Sequence, residues 1–137
     1  MLWLRDCLPQ TNAYVHADAN DALRSAATDG HVAVVARLIA AGAKVRALDD
    51  EALRWSSANG HDDVVALLLA AGARVHAMKD YALRHAAKNG HVSVVERLPA
   101  AGADVHADDD GALLMATENG HDAVAARLLA AGATVRQ

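Results

Sequence analysis

A block of 30 residues recurs along the chain, and that period restricts the possible folds more than any other feature. Gly-His stands at 30–31, 60–61, 90–91 and 120–121. Ala-Ala-Gly-Ala recurs at 40–43, 70–73, 100–103 and 130–133, and Ala-Leu at 22–23, 52–53, 82–83 and 112–113. Eight of the nine glycines fall on these landmarks, leaving Gly111 outside them. A unit this short cannot bury its own apolar face, so its neighbours must cover it, and the array becomes a stack rather than a globule.

Each copy reads as two helices. The first is expected to begin near Asn20, Asp50, Asp80 or Asp110, short polar side chains suited to accept from the free N–H groups of a first helical turn. It should end at Gly30, Gly60, Gly90 or Gly120, where the chain reverses. The second carries Val34, Val35, Leu38 and Ile39, or their counterparts, at a spacing that places them on one helical face. It should close at Gly42, Gly72, Gly102 or Gly132. A short extended arm then follows: Lys44-Val45-Arg46, Arg74-Val75-His76 and Asp104-Val105-His106. Pro99 stands in the last turn of one second helix, where Ile39, Leu69 and Leu129 stand in the others, and is expected to distort it locally.

The composite Ala-Leu-Arg-x-Ala-Ala-x-Asn-Gly-His-x-x-Val-Val-x-x-Leu-Leu-Ala-Ala-Gly-Ala-x-Val resembles the ankyrin repeat over residues 20–137. The resemblance implies an all-α solenoid of stacked helix-turn-helix pairs. The period is shorter than the usual repeat of about 33 residues, and the missing residues fall between Ala47 and Leu53 and at the equivalents. Shortened loops with little or no β-hairpin are therefore expected. Thr-Pro-Leu-His of the family is replaced by Asp-Ala-Leu-Arg, Glu-Ala-Leu-Arg, Tyr-Ala-Leu-Arg and Gly-Ala-Leu-Leu. Residues 1–137 read as one domain, with repeats at 20–49, 50–79, 80–109 and 110–137. Residues 1–19 align as a degenerate half repeat: Tyr14-Val15-His16-Ala17-Asp18 falls on Asp104-Val105-His106-Ala107-Asp108, Leu8-Pro9 on Leu98-Pro99, and Leu4 on Val94. That half repeat is expected to cap the N-terminal end.

Composition agrees with a thin stack. Phenylalanine is absent and aromatic residues make up 3% of the chain, so Val, Leu and Ala must form the core between closely approaching helices. The formal net charge of -4 disfavours a nucleic-acid groove, which needs a basic stripe. No apolar run approaches the ~20 residues that span a bilayer, and the N-terminus lacks the pattern of a secretory signal. One cysteine, Cys7, cannot form an internal disulfide and is read as a packing residue. These features lead to the expectation of an intracellular, cytoplasmic protein. Short repeats of this kind are familiar from large DNA viruses and some other lineages, for which the location would be the host-cell cytoplasm.

The histidines suggest metal binding but their spacing opposes it. His31, His61, His91 and His121 form a column one repeat apart, too far to share an ion held by ~2 Å bonds. The resemblance gives this histidine a structural role as a turn residue bonded to nearby backbone. His16, His76 and His106 share a second column with Arg46 and Arg136, which is not a ligand set; in related ankyrins an oxygenase can hydroxylate this region. Asp108-Asp109-Asp110-Gly111 could imitate a calcium loop, but the phase puts His106 first and Thr117 last where carboxylates belong. It reads as a solvated loop. No nucleophile, zinc-protease or phosphate-loop motif is present. No enzyme activity, cofactor or metal is expected.

Positions that vary between copies are free for function. The most variable column is Ser25, Trp55, His85 and Met115, followed by the loop positions Asp21, Glu51, Tyr81, Gly111 and Leu48, Met78, Asp108. In ankyrins the first helix and loop face the concave groove, which makes Ser25, Trp55, Met78, Tyr81, His85 and Met115 the candidate partner-binding residues. Arg24, Arg54 and Arg84 form a further column, expected to make ion pairs with Asp49, Asp50, Asp80 and Asp109, while Leu114 breaks it. The expected function is a non-catalytic module that binds a protein partner. The alternative is self-association, including a weak homodimer, through the last repeat. There Leu113, Val124, Leu128 and Leu129 keep an interior-like character, with Ala125 in place of one valine.

Overall fold

The computed structural model describes residues 12–133, with side chains described from Ala19 onward. Eight helices follow one another among these residues: α1 Asn12–Asp29, α2 Val32–Ala40, α3 Ala47–Ala58, α4 Asp62–Ala70, α5 Ala77–Lys88, α6 Val92–Ala100, α7 Ala107–Glu118 and α8 Asp122–Ala130. They form four antiparallel pairs stacked in two layers. The first helices α1, α3, α5 and α7 pack in sequence along one layer, and α2, α4, α6 and α8 along the other. No β-strand occurs among the described residues. The fold is the all-α solenoid expected, with the hairpin lost.

The core follows the repeat. Leu23, Leu53, Leu83 and Leu113 of the first helices are at most 5% exposed, and Leu68, Leu98 and Leu128 of the second helices are fully buried. Alanines at 26, 27, 52, 82, 86, 87, 112 and 116 line the contacts between first helices. Their small side chains allow the close approach that a core lacking large rings requires.

The Gly-His landmark is a joint between successive pairs. His61 Nε2–H donates to the Thr28 carbonyl at 2.9 Å, and His91 Nε2–H to the Ala58 carbonyl at 2.9 Å. Asn59 and Asn89 donate to the same two carbonyls at 3.2 and 2.7 Å. Each helix end thus has an otherwise orphaned carbonyl satisfied from the next copy. Gly30 has φ +79°, and a Cβ there would lie 2.6 Å from His61 Nδ1. Glycine is required for backbone conformation and for seating the next ring. The structural role implied for the histidine column holds at His61 and His91, with the acceptor in the preceding repeat.

Where the family hairpin is shortened, the chain makes a left-handed turn instead. Leu48, Asp49 and Asp50 all have φ of 55–57°, and Met78-Lys79-Asp80 and Asp108-Asp109-Asp110 repeat this conformation. Left-handed backbone costs an L-residue roughly 1–2 kcal/mol, so something must hold it. Arg54 Nε and Nη2 donate to the Asp49 and Leu48 carbonyls at 2.9 and 3.0 Å. Arg84 does the same to Lys79 and Met78 at 2.9 and 3.0 Å. The arginine column is therefore mainly a set of clamps on backbone carbonyls, and not the side-chain ladder expected. Its side-chain ion pairs among the described residues are Arg24–Glu51 at 3.4 Å and Arg84–Asp108 at 3.7 Å.

The polar side chains expected as helix N-caps have another partner. Asn20, Asp50 and Asp80 each accept a backbone N–H from 24 residues onward, at Lys44, Arg74 and Asp104. They tie the start of the first helix to the chain leaving the second. Asp50 is fully buried and also receives Arg74 Nε at 2.9 Å. Asp80 and Asp110 are 3% exposed and receive Nδ1–H of His76 and His106 at 2.9 and 2.7 Å. The expected extended arm is a tight turn, with Val45, Val75 and Val105 buried beneath it.

Two further expectations need revision. Helix α6 runs through Pro99 to Ala100 with the same nine residues as α2, α4 and α8. A proline so near the end removes one N–H, that facing the Val95 carbonyl, without breaking the helix. At the N-terminal end, α1 is continuous from Asn12 through Asn20, so no arm like that at 104–106 separates it from what precedes. The rest of the expected half-repeat cap, with Leu4, Cys7 and Leu8-Pro9, lies outside the described residues, as does Arg136.

Candidate protein-binding surface

The variable positions gather on the first-helix layer because successive first helices carry the same register. Trp55 on α3 is 40% exposed. Its indole meets Tyr81 of α5 edge-on, with centroids 6.4 Å apart. Tyr81 in turn stacks on His85, one helical turn along, at 3.7 Å and 11°. The Arg54 and Arg84 guanidiniums lie 5.1 and 5.9 Å from the Tyr81 ring centre, within range of a cation–π attraction. Trp55 and Ser25 together line an open depression of about 380 Å³ with Arg24, Thr28, Asp29 and Glu51.

Of the six candidate residues, Trp55, Tyr81 and His85 form one contiguous group, and Ser25 shares a hollow with Trp55. Met78 sits apart in the left-handed turn, 52% exposed, with its carbonyl held by Arg84. Met115 is half-buried on α7. His85 Nδ1–H donates to the Tyr81 carbonyl at 3.2 Å. Burial holds the His85 pKa below the usual histidine value; that bond opposes the shift, while the positive charges of Arg84, Lys88 and Arg54 add to it. The ring is thus biased toward its neutral form, which suits stacking on a phenol.

The roles of Arg54, Arg84 and the buried aspartates were not apparent from residue type. The available signal was their recurrence: Arg at 54 and 84 and Asp at 50, 80 and 110, each next to the shortened loop. Outside the first-helix layer, the second helices are joined by ion pairs. Arg97 forks onto Asp62 at 2.6 and 2.9 Å, and Arg127 reaches Glu96 at 2.9 Å.

At the C-terminal end the expected interior-like face is mostly satisfied internally. Leu113, Val124 and Leu128 are buried against the preceding pair. Leu129 remains 46% exposed, and Leu114 is 57% exposed. At the opposite end Val34 is 47% exposed, whereas its equivalents Val64, Val94 and Val124 are fully buried.

Helix pairs repeated in tandem, stacked in two layers and stitched by histidines, define a helical-repeat protein of the solenoid class. Residues 53–98 match the family model for ankyrin repeats (many copies). That match and the stacked helix pairs fit an ankyrin-repeat protein, with a 30-residue repeat in which a left-handed turn stands where the hairpin would be. No curated protein matches the chain at a significant level. Ankyrin repeats are generally protein–protein interaction modules and typically non-catalytic. No helix among the described residues is long and apolar enough to cross a membrane.

Proposed function

We propose that the chain binds a protein partner through its first-helix face, centred on Trp55, Tyr81 and His85, and has no catalytic activity of its own. The observation that supports this most directly is Trp55. A chain with two tryptophans, two tyrosines and no phenylalanine leaves one indole 40% exposed against a second aromatic ring. Exposed aromatic anchors set in a rigid surface dominate interface energies. Ser25 and Met115 continue the same column, and Met78 stands apart in the neighbouring turn, exposed. Affinity capture should lose the partner when Trp55→Ala and Tyr81→Ala are combined, with circular dichroism unchanged. An unaltered set of captured proteins would reject this surface.

Self-association through the last repeat is the second reading, supported by the exposed Leu114 and Leu129. A mass by light scattering that rises with concentration, and that stays monomeric in Leu114→Glu plus Leu129→Glu, would support it. A strict monomer at high micromolar concentration would remove it.

A further inference from the structure

The aromatic strip has an uneven electrostatic setting. Near Trp55, Arg24 is paired with Glu51, and Asp29 lines the same hollow. Around Tyr81 and His85 the sign changes. Arg54 and Arg84 lie 5.1 and 5.9 Å from the Tyr81 ring centre, and Lys88 follows His85 by about one helical turn on α5. Among the described residues neither Arg54 nor Lys88 pairs with a carboxylate, and Arg84 reaches only Asp108, at 3.7 Å. A chain of net charge -4 therefore gathers three cations around its aromatic group. We propose that this part of the surface receives an acidic peptide segment, its carboxylates set against Arg54 and Lys88 and a large apolar side chain against Trp55. The proposal rests on the first-helix face being the contact surface.

Two physical points support this occupant. Arg54 is held in place by its two carbonyl bonds, so little conformational freedom remains to be lost when an anion arrives. The patch is also short. Asp29 and Glu51 share the hollow with Trp55 on one side, and Asp108 stands against Arg84 on the other. A nucleic-acid backbone needs a continuous basic stripe, whereas a few peptide carboxylates next to an apolar anchor fit the space between these acids.

Peptide display against the immobilised full chain tests the idea, because it imposes no charge in advance. Enriched peptides should place Asp or Glu beside an aromatic or large aliphatic residue. One enriched peptide is then titrated into a Trp3→Phe background, so that Trp55 fluorescence reports alone. Lys88→Glu, at an exposed position where the fold should be retained, should weaken that peptide about tenfold or more at low salt, with the gap shrinking at high salt. Enrichment of neutral or basic peptides, an unchanged affinity in Lys88→Glu, or displacement by an oligonucleotide at equal concentration would overturn the proposal. If Trp55 still responds to the peptide in those cases, the contact surface itself stands. An empty selection, or peptides that leave Trp55 unchanged, would remove both.

Discussion

Ser57 shows how strictly the stack enforces residue identity. Its position is occupied by Ala27 and Ala87 in the adjacent copies, all fully buried between first helices. The Ser57 hydroxyl has no hydrogen-bond partner, whereas neighbouring Ser56 donates to the Leu53 carbonyl at 3.2 Å. A buried polar group without a partner keeps its full desolvation penalty, about 1–3 kcal/mol. Ser57→Ala should therefore raise stability by about 1 kcal/mol, read as a higher urea midpoint with an unchanged slope. Ser56→Ala, which removes a satisfied hydroxyl, should gain less. Equal midpoints for wild type and Ser57→Ala would mean that the hydroxyl is not desolvated as its burial indicates.

Among the elements, the second helices are joined by ion pairs, one of them two-pronged. Asp62 opens α4 and Arg97 lies in the last turn of α6, and their two-pronged contact holds the Asp62 carboxyl below the ordinary aspartate value, a shift that burial opposes. A folded pKa below the unfolded one gives stability that is present above the ordinary aspartate pKa and lost as pH falls through the folded value. The Asp62 side chain is 26% exposed and that of Arg97 41%, so solvent screening limits the contribution to about 0.5–1 kcal/mol. Asp62→Asn should lose that amount at neutral pH and converge with wild type as the pH falls below the ordinary aspartate range. Parallel stability curves across the acid range would show that the pair contributes nothing. Nothing in the sequence announces this pair, because Asp62 and Arg97 stand 35 residues apart and lie in different columns of the repeat. The helices, their ends and the Leu, Val and Ala core were legible, because periodicity and glycine position encode them directly. The left-handed turns were not, since Leu48-Asp49 and Met78-Lys79 offer no glycine at positive φ. The arginine column was visible, but its acceptors are backbone carbonyls, which leave no mark in a sequence. In the candidate site, Trp55, Tyr81 and His85 stood out by type and by variation between copies, whereas the clustering of cations around Tyr81 depends on inter-repeat geometry.

For the molecule as a whole, a stack whose units touch only their neighbours is weakest at its ends. The C-terminal end combines two deficits. Thr117 of α7 is exposed, although Ala27, Ser57 and Ala87 at the same position are buried. At position 114, where Arg54 and Arg84 stand in the two copies before it, Leu114 replaces the arginine and is 57% exposed. The register of Arg54 and Arg84, which bond carbonyls five and six residues earlier, would bring a guanidinium at position 114 onto the Asp109 and Asp108 carbonyls. Leu114→Arg should thus restore two bonds and remove an exposed apolar side chain, a gain of about 1 kcal/mol after solvent competition. Because local opening is confined to neighbouring units, the gain should appear first as roughly fivefold slower hydrogen exchange in α7 and α8, with α3 and α4 little changed. Uniform slowing along the stack would mean that the repeats open as one cooperative block, and no slowing would mean that the arginines at 54 and 84 do not stabilise their turns.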